Sequence, residues 1–82
     1  MLAEASKAYA TPTLEPDTGD LVLMWDFGDT IAPTHVGIYV SLGGIPYVLH
    51  SGRRLGGSVL TEKRKLARLG LTIEGYYKWL LR

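Results

Sequence analysis

His35 and His50 are the side chains of this sequence best suited to move a proton near neutral pH. His35 opens an apolar segment, HVGIYV (His35 to Val40), rich in β-branched and aromatic residues. His50 ends another, IPYVLH (Ile45 to His50). Gly43-Gly44 lies between them, a pair that favours a hairpin turn, so the two segments read as paired strands. A histidine at a strand end can act as a general base, or it can simply be satisfied by nearby backbone. Two histidines cannot by themselves close a zinc site. The sequence has no cysteine, which excludes disulfides, thiolate zinc sites and a thiol nucleophile. No cofactor site is expected. Arg53 and Arg54 stand in a glycine-rich loop, SGRRLGG, and could hold a carboxylate or phosphate. Gly52, Gly56 and Gly57 do not give the spacing of a phosphate-binding loop. Trp25, Tyr39, Tyr47, Tyr76, Tyr77 and Trp79 read first as core or interface aromatics. Tyr39, Tyr47 and Arg53 are the candidates for ligand contact. Glu62-Lys63-Arg64-Lys65, with Arg68, reads as a solvated face.

The elements that must position these residues are few. At 82 residues the chain is a single domain, short enough to bury only about 60% of its unfolded surface. It is 46% hydrophobic and 21% charged with a net charge of +1, which argues against disorder and against a strongly basic nucleic-acid binder. No signal peptide or membrane span is expected: residues 1–10 carry Glu4 and Lys7, and the apolar run Leu21 to Trp25 is too short to cross a bilayer. Residues 1–10 suit one or two helical turns. Thr11 to Asp20, with Pro12, Pro16 and Gly19, reads as an extended arm or loop. Residues 1–18 therefore read as an N-terminal arm or a short helix plus a Pro-rich loop, and residues 19–82 as a β-rich domain. Leu21 to Trp25 suits a buried strand. Phe27 to Thr34 is a loop, and Pro46 demotes the start of the returning strand to an edge or bulge. Ser58 to Thr61 is a short strand. Thr61 to Leu69 suits a helical turn or two, with Thr61 as N-cap and Gly70 as C-terminal cap. Leu71 to Leu80 reads as a last strand that Gly75 would weaken or bulge. The fold expected is α+β: a small antiparallel sheet or half-barrel of four to five strands with short marginal helices.

In order, GDLVLMW (Gly19 to Trp25), HVGIYV, PYVLHS (Pro46 to Ser51), GSVLT (Gly57 to Thr61) and GYYKW (Gly75 to Trp79) resemble the C-terminal half of the NlpC-type cell-wall peptidases. These are papain-like cysteine peptidases that cut peptidoglycan stem peptides, and the segments are most similar to the versions carried at phage tail tips. The resemblance spans about Pro16 to Trp79. It implies that His35 is the general base and His50 the residue that orients it, and that Gly19 and Asp20 are structural. The hairpin from Ser41 to Pro46 is a few residues longer than usual in the family. The departure is the nucleophile: the family's Asp-Cys-small motif precedes the GD strand, whereas here that stretch holds no cysteine. Ser6, its only serine, lacks the motif's context.

A thiol peptidase needs a thiolate, an imidazole and a group to orient it. With the first missing, no peptidase activity is expected from this chain alone. The first expectation is a non-catalytic structural component of a larger assembly, a phage tail-tip protein in the virion, with other tail proteins as partners. The alternatives are one half of a split cysteine peptidase whose cysteine comes from another chain, and a module that binds peptidoglycan without cutting.

Overall fold

The computed structural model describes residues 10–52 and 56–80. The helical expectation for residues 1–9, Ser6, and the loop arginines Arg53 and Arg54 lie outside the described residues. Among the described residues there are six strands: β1 (Ala10–Thr13), β2 (Leu21–Trp25), β3 (His35–Leu42), β4 (Ile45–Gly52), β5 (Gly57–Glu62) and β6 (Thr72–Trp79). They form one sheet in the order β1-β6-β2-β3-β4-β5, and every neighbouring pair is antiparallel. A 3-10 helix, Lys63–Leu69, joins β5 to β6.

The sheet is therefore larger than the four to five strands expected. The added strand is β1, which falls in the stretch read as an arm and pairs with β6 from Ala10↔Trp79 to Thr13↔Tyr76. It is four residues long and contains Pro12, a composition that an edge strand tolerates and an interior strand does not. Pro46 is treated similarly. It pairs with Ser41 of β3, but the β4–β5 ladder begins only at Tyr47. The 3-10 helix differs from expectation at its start. Glu62 occupies the N-cap with no side-chain capping bond. Thr61 stays in β5, and its hydroxyl is bonded to His50 instead. At the other end Gly70 does cap the helix, at φ 76°, its N–H reaching Ala67. Along β6, Leu23 faces Gly75 and Met24 faces Ile73, so Glu74 is an extra residue and the bulge lies beside Gly75.

Side chains alternate across a sheet, so it has two faces. On one, Val22 and Met24 of β2 and Val48 of β4 pack with Leu66 of the 3-10 helix and with Leu71. Tyr39, Leu69, Ile73 and Tyr76 lie against them. On the other, Leu21 and Leu23 pack with Ala10 and Tyr77. β2 is thus buried on both sides, which is why it reads as an unbroken apolar run. His35, Gly37 and Tyr39 alternate with Val36 and Ile38, and so lie on the first face. The register Gly37↔His50 and Tyr39↔Val48 places His50 there too.

Candidate functional site

The site grows from the register of three strands. Gly37 stands directly opposite His50, so His35 is its diagonal neighbour on the same face. His50 is opposite Val59, which makes Thr61 the diagonal neighbour from the other side. The side chains meet accordingly. His35 Nε2 and His50 Nδ1 are 2.9 Å apart, and His50 Nε2 and Thr61 Oγ1 are 2.9 Å apart. The two rings are edge-on, with centroids 5.1 Å apart and planes at 77°. The sequence placed His35 and His50 on paired strands, and the structure brings them into hydrogen-bond contact.

Gly37 makes this approach possible. A Cβ there would lie 2.5 Å from Val48 Cγ1, 2.9 Å from the Leu49 carbonyl oxygen and 3.2 Å from His50 Cβ. A side chain at this position would push β4, and His50 with it, away from β3. The HVG segment carried this signal, since glycine inside a strand often marks a close backbone approach. Thr61 carried none, because its partner depends on a register that the sequence does not specify.

His35 is held from both ends. The loop before it is tied down by the Asp29 carboxylate, which accepts from the Asp26 N–H at 2.7 Å, the Thr34 N–H at 3.2 Å and the Thr34 hydroxyl at 2.9 Å. These bonds, led by the one from Asp26, hold the Asp29 carboxyl below its usual range. Beyond the site, β3 is anchored at Tyr39. Its N–H donates to the Asp20 carbonyl at 2.8 Å, and its own carbonyl accepts from Gly19 at 2.9 Å. Asp20 is buried at 1% exposure, and its carboxylate accepts from the Asp17 N–H and from Lys78 Nζ. Gly19 takes φ 101°, and its carbonyl accepts from Trp79 Nε1. The Gly19-Asp20 turn is a structural clamp between β3 and β6.

His50 is 4% exposed. Burial, and then the charge of nearby His35, push its pKa below 6.5 and favour the neutral ring. A neutral His50 can offer its Nδ1 lone pair to His35 Nε2–H. The other ring nitrogen of His35, Nδ1, makes no hydrogen bond to any described residue. An imidazole backed in this way can take a proton from an acidic group placed against Nδ1. The chain has no cysteine to put there. Among the described residues, no group of three or more His, Asp or Glu side chains could hold a metal ion.

The other candidates separate. Tyr39 lies on the histidine face but packs edge-on against Tyr76, at 5.6 Å between ring centroids, as part of the core. Tyr47 pairs with Val40 and Glu62, which places it on the opposite face. No single ligand surface contains both tyrosines. Arg53 lies outside the described residues. Within the charge run, Glu62 accepts from Arg64 at 3.1 Å and pairs with Lys65 at 3.3 Å, while Lys63 lies 5.5 Å from the centre of the Tyr76 ring. Among the described residues no helix is long and apolar enough to cross a membrane. Comparison with known proteins adds no relative: no family model, curated protein or solved structure matches this chain.

Proposed function

We propose that this chain is the base-bearing sheet half of an NlpC-type peptidase site. His35 is the general base and His50 its orienting partner, and the thiol nucleophile comes from outside these 82 residues, within a larger assembly. A phage tail tip is the setting that the sequence resemblance suggests, and the peptide stems of peptidoglycan are the substrate. On its own the chain cuts nothing. Removing the nucleophile of a catalytic triad costs about as much as removing the whole unit.

The observation that supports this reading is the 2.9 Å contact between His35 Nε2 and His50 Nδ1, with His50 buried and its pKa pushed below the ordinary histidine value by that burial. Burying polar ring nitrogens costs free energy unless each is bonded, and an apolar pair would fill the same space without that demand. The reading is tested by peptidoglycan cleavage with the complete assembly containing the chain. His35→Ala should lower the cleavage rate by about 10³-fold or more. Cleavage at the wild-type rate would remove the proposal.

A specific observation favours a second reading, that of a structural component with no part in cleavage. Val36, Leu49 and Leu60 are 39%, 42% and 44% exposed on the face away from the histidines, where a neighbouring protein of the assembly could cover them. On that reading Leu60→Asp blocks incorporation into the assembly, while His35→Ala changes nothing.

A further inference from the structure

Beyond its contact with His35, His50 reaches Thr61, with Nε2 and Oγ1 2.9 Å apart. We infer that Thr61 is a positioning residue: it fixes the tautomer of His50 and so decides which nitrogen of His35 keeps a lone pair. This rests on the half-site reading and names a residue that the triad pattern does not contain.

A neutral imidazole has one donor nitrogen and one acceptor nitrogen. Both nitrogens of His50 are bonded, so the His35–His50–Thr61 chain can run in only two directions. In the first, His50 Nε2–H donates to Thr61 Oγ1, and His50 Nδ1 accepts from His35 Nε2–H. His35 Nδ1 is then a lone pair, as a base requires. In the second, the Thr61 hydroxyl donates to His50 Nε2, and His50 Nδ1–H donates to His35 Nε2. His35 Nδ1 then carries the proton and cannot accept another.

Only the first direction also survives protonation of His35. An imidazolium donates from both nitrogens, so His50 Nδ1 must accept and His50 Nε2–H must find an acceptor. Thr61 Oγ1 is that acceptor. The same arrangement therefore serves before and after proton uptake, and neither ring has to turn. The residues that face Thr61 and His50 directly across β4 and β5 are Val48 and Val59, whose side chains accept nothing. Without the hydroxyl, a proton on His50 Nε2 would be buried without a partner among the described residues, and the ring would carry it on Nδ1 instead.

The test is the tautomeric state of each histidine, read from long-range ¹H–¹⁵N spectra of the full chain at mildly alkaline pH. In the wild type and in Thr61→Ser, both His35 and His50 should carry their proton on Nε2. In Thr61→Val both protons should move to Nδ1. A wild-type His50 protonated on Nδ1 would overturn the inference, and so would a Thr61→Val chain that keeps the wild-type tautomers. Should Thr61→Val fail to fold, the wild-type and Thr61→Ser spectra decide alone. The readout involves no cleavage, so it can fail while the half-site reading stands, or hold while that reading fails.

Discussion

The two faces of the sheet are finished differently. On the histidine face, the 3-10 helix lays Leu66 over Val22, Met24 and Val48, and both nitrogens of the buried His50 are partnered. On the other face, the small cluster of Ala10, Leu21, Leu23 and Tyr77 lies at the β1–β6–β2 end, while Leu49 and Leu60 stand nearly half exposed at the β4–β5 end. One cross-strand row shows the gradient: Leu21, Ile38, Leu49 and Leu60 are successive partners, and only Leu21 is buried. Polar side chains are thus buried where their partners are already in place. Aliphatic ones are left open where the sheet still has surface to offer. The histidine face carries the buried polar contacts, and the other carries the exposed aliphatic side chains.

The largest effect should come from the finished face. Met24 is fully buried between β3 and β6, so Met24→Ala should destabilise the chain by about 3 kcal/mol in urea unfolding. A loss under about 0.5 kcal/mol, the level of a surface substitution, would mean that this face is not a packed core.

A smaller effect should come from pH. The folded state holds the His50 pKa below its ordinary 6.5. Between those two values the unfolded chain binds more protons than the folded one, so stability falls as pH drops through 6.5. Asp29 and Glu62, whose pKa values are also lowered, respond only near and below 3.8 and 4.5, which leaves the His50 window separate. Unfolding curves across this window should weaken for the wild type and stay level for His50→Leu. Equal slopes would show that His50 is not held neutral by its surroundings.

The smallest effect should come from the open face. Leu60→Ser in the isolated chain should change stability by no more than about 0.5 kcal/mol. A loss comparable to that of Met24→Ala would show that the two faces are alike, and the contrast between them would fail.

Much of the sheet was legible because its local signals agree. The unbroken run at Leu21 to Trp25, the β-rich HVGIYV and the Gly43-Gly44 turn each specify a strand or a connection without help from tertiary structure. β1 was not legible: four residues with a proline become a strand only because β6 is there to pair with them. The pairing of His35 with His50 could be anticipated from the hairpin, but not the third member of the chain. Thr61 carries the local marks of a helix cap, and only the β4–β5 register sends its hydroxyl to His50. Tyr39 and Tyr47 show the same limit, since two similar side chains on paired strands end on opposite faces once the register is known.

The half-site reading is tested most directly by the structure of the chain within its natural assembly, at the Nδ1 of His35. A cysteine sulfur is expected within about 4 Å of that nitrogen, the looser hydrogen-bond reach of a resting enzyme. A His35 Nδ1 that faces solvent or an apolar surface in the complete assembly, with no thiol beside it, would contradict the account.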